Sequence, residues 1–118
     1  KKLKKFVESQ KLTFISTPFS REAADQLNLM KVKAFKIGSG ECNNYPLIEY
    51  ICKFKKPIIL STGMNDIKSI KVACKIIEKH NINYALMHTT NLYPTPTNLI
   101  RLNSLKEFQK TYLQFIKI

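Results

Sequence analysis

Four times in this chain an apolar run ends in small polar side chains. Phe14-Ile15 leads into Ser16-Thr17-Pro18, and Ala34-Phe35-Lys36-Ile37 into Gly38-Ser39-Gly40-Glu41. Ile58-Ile59-Leu60 leads into Ser61-Thr62-Gly63, and Leu86-Met87 into His88-Thr89-Thr90-Asn91. The runs are apolar nearly throughout instead of alternating, which is the pattern of strands covered on both faces or closed into a barrel. The expected strands, roughly 12–17, 34–39, 57–61 and 84–89, recur about 22 to 27 residues apart, a spacing that fits repeated βα units. In parallel α/β architectures ligands bind at the carboxyl ends of the strands. Runs that end in hydroxyls, a lysine, an amide and a carboxylate therefore point to one shared site for an anionic small molecule.

Helix-like segments lie between the runs. Ser20 is a candidate N-cap, followed by Ala23, Ala24, Leu27 and the Leu29-Met30 pair on one face. Leu47, Ile48, Ile51 and Cys52 make a second apolar face, opened by Pro46 at a first-turn position. Asn65 or Asp66 can start a third helix, whose stripe is Ile67, Ile70, Val72-Ala73-Cys74 and Ile76-Ile77. Leu102, Leu105, Phe108 and Tyr112 mark a fourth. With right-handed crossovers, repeated βα units leave a doubly wound open sheet or a (β/α)₈ barrel. A barrel needs ~250 residues, so four strands would be half of one. The chain opens as a helix (Leu3, Phe6, Val7), and Phe115-Ile116-Lys117-Ile118 reads as the start of another strand. The expectation is an α/β fold, a partial (β/α)₈ TIM barrel of about four consecutive βα units, with residues 1–118 as a single partial domain.

Hydrophobic residues make up 44% and charged residues 24% of the chain, the profile expected of a soluble globular protein. No apolar run approaches the ~20 residues that span a bilayer, and Lys1-Lys2-Leu3-Lys4-Lys5 is not followed by a signal-peptide core. The net charge of +12 invites a nucleic-acid reading, but it comes from 18 lysines and 2 arginines spread along the chain. Lys68, Lys71, Lys75 and Lys79 follow helical spacing and read as the wet face of an amphipathic helix. Cys42, Cys52 and Cys74 are odd in number and lack metal-ligand spacing, so they read as reduced thiols of a cytoplasmic protein.

Four stretches, in this order and spacing, resemble the sialic acid synthase family: the phosphoenolpyruvate-dependent N-acetylneuraminate synthases and their legionaminate and pseudaminate relatives. They are Phe14-Ile15-Ser16-Thr17-Pro18-Phe19-Ser20; Lys36-Ile37-Gly38-Ser39-Gly40-Glu41 with Asn43 or Asn44 before Tyr45-Pro46-Leu47; Pro57 through Met64; and His88-Thr89-Thr90-Asn91 with Tyr93-Pro94-Thr95-Pro96. The resemblance implies a (β/α)₈ enzyme that condenses phosphoenolpyruvate with a 2-acetamido sugar aldehyde, such as N-acetylmannosamine, and releases a nine-carbon 2-keto acid and phosphate. It also implies a divalent metal, Mn²⁺ or Mg²⁺, a small C-terminal antifreeze-like domain and a homodimer when full length. By the same resemblance Thr17, Lys36, Ser39, Ser61 and Asn91 hold phosphoenolpyruvate. Glu41 is the catalytic carboxylate, and Tyr93 stands on the acceptor-sugar side.

The chemistry of the residues agrees with those roles. Lys36 is a compact cation for an anionic substrate, and hydroxyls with glycine-exposed amides complete a phosphate cradle. Glu41 can position water or move a proton. Each residue has a plainer reading as well. Lys36 can be a surface lysine, or the imine-forming lysine of an aldolase. Glu41 can cap a helix, Ser39 and Ser61 can satisfy backbone groups, and Thr17 can be turn chemistry. Asn91 and Tyr93 can stiffen the proline loop. His88 reads as a hydrogen-bonded core or rim histidine, and Thr89 stands where the resembled family often carries cysteine. The resemblance places the metal histidines and a second phosphoenolpyruvate lysine outside the chain, so residues 1–118 alone are expected to be inactive.

Overall fold

The structure, a computed structural model, describes residues 1–111. Three strands, β1 (Phe35–Ile37), β2 (Ile58–Ser61) and β3 (Tyr84–Met87), form a parallel sheet in chain order. Lys36 pairs with Ile59 and Ile37 with Leu60, while Leu60 pairs with Leu86 and Ser61 with Met87. The helices are α1 (Lys2–Ser9), α2 (Arg21–Leu29), α3 (Tyr45–Cys52), α4 (Ile67–Lys79) and α5 (Ser104–Thr111).

The strand expected at 12–17 is reduced to one parallel bridge from Ser16 to Phe35, in which the Lys36 amide donates to the Ser16 carbonyl at 3.2 Å. The next donor in that register is residue 18, a proline with no N–H. The expected four βα units therefore stand as three ladder strands and a bridged segment.

Strand alternation sorts the sheet into two faces. Phe35, Ile37, Ile58, Leu60, Tyr84 and Leu86 are buried in the same core as the apolar stripes of α3 and α4. Lys36, Ile59 and Ala85, cross-strand neighbours on the other face, are only half-buried. One helix-covered face and strands laid down in chain order are the marks of single winding. A doubly wound sheet reverses its strand order and is covered on both sides. The α/β architecture is thus an arc of a barrel.

Local chemistry sets the helix starts. The Ser20 hydroxyl accepts from the Ala23 amide at 3.1 Å, Asn44 from Leu47 at 3.3 Å, and Asp66 from Ser69 at 2.7 Å. Of the two candidate starts for α4, Asp66 is the cap, and Ile70, Ala73, Cys74 and Ile77 form its buried stripe. Ile67 and Val72 fall off that stripe into exposure, as does Leu29 at the end of α2, 73% exposed. Phe108 is buried, whereas Leu102 and Leu105 are exposed. Tyr112 and residues 115–118 lie outside the described residues. Lys68, Lys71, Lys75 and Lys79 are all exposed. Among the described residues no helix is long and apolar enough to cross a membrane. The three cysteines are free and buried. Burial pushes the Cys42 and Cys52 thiols up to about 11 and Cys74 to about 12, so none is a thiolate nucleophile.

Helices α1, α2 and α3 are each followed by a lysine in the left-handed region: Lys11 at φ 60°, Lys31 at 55° and Lys55 at 55°. After α2, the Lys31 amide donates to Asn28 at 2.8 Å and the Val32 amide to Leu27 at 3.3 Å, the paired bonds that close a helix. No glycine in the chain occupies positive φ. A side chain in this region costs about 1–2 kcal/mol of backbone strain. Lys31→Gly is therefore expected to raise stability by about 0.5–1 kcal/mol after the entropy of glycine is set against that strain. Urea unfolding measures it, with Lys33→Gly, at a position without positive φ, expected to lose stability instead.

Candidate active site

The carboxyl ends of the three strands build a rim from groups that reach across from one loop to the next. Lys36 sits on the open face of β1. Its ammonium donates to the Ser61 hydroxyl at the end of β2 and to the Ile37 carbonyl at 3.2 Å. Both partners are neutral. The only ion pairs among the described residues are Lys4–Glu8 and His80–Glu49, so no carboxylate offsets the Lys36 charge. Partial burial lowers its pKa from the ordinary lysine value, because desolvation disfavours the charged form.

Beyond β1 the chain makes a single 3₁₀ turn, Ser39–Glu41. The Ser39 hydroxyl meets the Thr89 hydroxyl at 2.9 Å, and Thr89 also accepts from the Gly63 amide at 2.9 Å. Asn65 closes the ring, its side-chain amide donating to the Ser39 carbonyl at 2.8 Å and to the Gly63 carbonyl at 2.6 Å. Thr62 extends the β2–β3 pairing, with both amide and hydroxyl donating to the Met87 carbonyl at 3.0 Å. Three strand-end loops are thus tied into one unit.

Gly63 is required by space. A Cβ there would lie against Asn91 Oδ1, 2.7 Å from the Thr89 hydroxyl and 2.8 Å from the Thr89 carbonyl. Asn91 therefore stands directly over Gly63. Thr17 lies beside Gly38, its methyl 3.7 Å from where a Gly38 Cβ would be. Glu41 is half-buried and accepts from the Asn44 side-chain amide at 2.7 Å through Oε2, which leaves Oε1 to other partners. Tyr93 is 87% exposed on the loop after β3. The structure thus brings Lys36 to Ser61, Ser39 to Thr89, Asn91 to Gly63 and Thr17 to Gly38. Glu41 flanks that group, and Tyr93 projects into solvent. A concavity of about 630 Å³ shares Gly63, Thr89 and Asn91 with the rim and extends to Arg101 and Phe108, while Lys36 and Ser61 lie outside its lining.

His88 is a rim histidine held by structure. Nε2 lies 2.7 Å from the Ile100 carbonyl, which can only accept, so that nitrogen carries the proton, and the ring meets Phe108 edge-on. The other histidine, His80, pairs with Glu49 at 2.6 Å between α3 and α4. Among the described residues no three His, Cys, Asp or Glu side chains gather into a metal-holding group. The residue that sequence reasoning passed over is Asn65, taken only as a possible helix start. Its signal was the Asn65-Asp66 pair: one of them caps α4, and the other is left to satisfy the rim.

The NeuB family model matches residues 1–116. The chain is 42% identical over 111 residues to the uncharacterized protein MJ1065 of Methanocaldococcus jannaschii, covering 93% of this chain and 33% of that one. It is 38% identical over 104 residues to the N,N'-diacetyllegionaminic acid synthase of Campylobacter jejuni, covering 86% of this chain and 31% of the relative. The crystal structure of N-acetylneuraminic acid (sialic acid) synthetase from Leptospira borgpetersenii superposes with a TM-score of 0.91 at 26% identity, covering 96% of this chain and 39% of that one. The chain spans about a third of the length of the curated relatives it matches.

The two glycines of contrasting surroundings make a test of the rim's packing. Gly63→Ala is expected to destabilise by about 1–3 kcal/mol, the usual range for forcing atoms into occupied space. A Cβ at Gly40 meets nothing within 4 Å, so Gly40→Ala should stay within about 0.5 kcal/mol of the parent. Thermal unfolding of both variants reads the difference.

Proposed function

The chain belongs to the NeuB family, and from that membership we propose that the protein containing it is a sialic-acid-type synthase. It condenses phosphoenolpyruvate with a 2-acetamido sugar aldehyde, N-acetylmannosamine or a related 6-deoxy sugar. The products are a nine-carbon 2-keto acid and phosphate, used in surface glycan biosynthesis. The observation that carries this reading is Lys36. A half-buried ammonium held by a hydroxyl and a carbonyl, with no carboxylate opposite it among the described residues, is a charge in want of an anion.

In this reading the ammonium of Lys36 offsets the charge of the enol phosphate, and its depressed pKa recovers when the anion arrives. Ser39, Ser61, Thr17 and Asn91 supply neutral donors, of which Ser39 and Ser61 are already held by Thr89 and Lys36 before the substrate binds and so need little reorganisation. A carbon–carbon bond forms between C3 of phosphoenolpyruvate and the aldehyde carbon, water attacks C2, and the C–O bond to phosphate breaks. Glu41, with Oε2 steadied by Asn44, positions that water or moves its proton through Oε1. Tyr93 presents its ring and hydroxyl to the acceptor sugar. A divalent cation, Mn²⁺ or Mg²⁺, would supply polarisation of the aldehyde oxygen when bound, and residues other than those described would hold it. The working protein is a cytoplasmic homodimer, its scattered lysines are solvated faces and not a nucleic-acid surface, and residues 1–118 alone do not turn over.

Lys36→Met is expected to weaken phosphoenolpyruvate binding about 10- to 100-fold, the worth of a hydrogen bond to a charged group. It should not lower the thermal midpoint, since it removes a poorly solvated charge. Calorimetric titration and thermal unfolding of the protein that contains this chain check both, and unchanged affinity ends the assignment. In the parent, affinity should fall as pH rises through the Lys36 pKa, below the ordinary lysine value. Folding stability should rise over the interval between the two, because the folded state binds the proton less well than the unfolded one. Borohydride in the presence of pyruvate should leave Lys36 unlabelled; a covalent adduct there would replace this reading with an imine-forming aldolase. Product formation by residues 1–118 alone would contradict the expected inactivity.

A further inference from the structure

Thr89 has no role in the reaction just proposed, yet it touches both of the loops that precede it. Its oxygen accepts from the Gly63 amide at 2.9 Å and lies 2.9 Å from the Ser39 hydroxyl. A backbone amide can only donate, so the direction of the first bond is fixed. A threonine hydroxyl has one proton and two acceptor positions. With one acceptor position taken by Gly63, Thr89 keeps its proton and one further acceptor position, so either hydroxyl can donate in the pair with Ser39. If Ser39 instead donated to Thr89, it would have no proton left for a bound anion. An anionic oxygen at Ser39 takes that hydroxyl's only proton, and then Thr89 must be the donor of the pair.

We propose that Thr89 is a positioning residue that relays hydrogen-bond polarity from the Gly63 amide to Ser39, so that the Ser39 hydroxyl is presented as a donor to an anionic oxygen of phosphoenolpyruvate. This rests on the synthase reading above. The chain of donors runs one way: Gly63 N–H to Thr89 O–H to Ser39 O–H to the anion. Each bond in such a chain polarises the next, which strengthens the last donor. Asn65 holds the ends of the relay in place by donating to the carbonyls of Ser39 and Gly63. The relay also gives a reason for the tight approach at Gly63, because any Cβ there would enter the space of the Thr89 hydroxyl. It sits on the rim beside Lys36, whose ammonium reaches the neighbouring Ser61. The charge and the polarised hydroxyl thus come from the same strand end, Lys36 on β1 and Ser39 in the turn just after it.

The test is steady-state kinetics of the protein containing this chain, with Thr89→Val, Thr89→Ser and Thr89→Cys. Valine keeps the shape of threonine and removes the hydroxyl. It is expected to raise the KM for phosphoenolpyruvate about tenfold while leaving the KM for the acceptor sugar within about twofold. Serine restores the phosphoenolpyruvate KM, and cysteine, a weak donor, falls between. Should Thr89→Val fail to fold, the serine and cysteine variants carry the comparison, with serine expected to match the parent and cysteine not. A parent-like KM for phosphoenolpyruvate in the valine variant overturns the relay. So does an equal rise in both KM values, which would mark a loosened scaffold only. If the parent protein neither binds nor turns over phosphoenolpyruvate, the synthase reading itself has failed, and the relay's substrate role goes with it.

Discussion

The parallel register of β1 against β2 governs everything at the rim. With Lys36 opposite Ile59 and Ile37 opposite Leu60, the lysine stands on the open face and its apolar neighbours go under the helices. Side chains alternate with a period of two, so a slip of one residue would exchange the two faces. The ammonium would then enter the core, and Phe35 and Ile37 would face water. The pairing of Leu60 with Leu86 and Ser61 with Met87 carries the same order to β3. Ser61 comes within reach of Lys36 only because both lie on that face, one pleat apart in the shared register.

The rim is then a product of the fold and not of any single loop. Ser39, Gly63, Asn65 and Thr89 belong to three different strand ends, yet they bond to one another directly. Side chains so bound have fewer ways to move, which is what a site for a charged small molecule requires. The cysteines contribute differently. Cys42, two residues beyond Gly40, is buried and carries its proton, so the reactive groups on this rim are oxygen and nitrogen.

Much of the fold was legible in the chain. The strand-ending motifs gave the order of elements, and Ser20, Pro46 and the Asn65-Asp66 pair marked where helices begin, while the Asn44 cap emerged only from the structure. The 12–17 strand was overextended because apolar content was weighed above the missing donor at Pro18. Leu29 and Val72 read as core by hydropathy, yet helical phase turns them outward. For the site, sequence picked out the residues that present charge and hydroxyls. It did not show the bonds among them. The contact of Ser39 with Thr89 joins positions 50 residues apart, and no spacing rule links them. Asn65 was hidden for a related reason: a helix-start signal explained it too easily.

The sheet grows in the order in which the chain is written, and each strand pairs with the one made just before or after it. Its closest partnerships are therefore between segments that leave the ribosome in succession. Each pairing spans one helix-containing crossover, and each new strand can dock on an edge that already exists. Assembly can keep pace with translation, adding one helix-backed strand at a time.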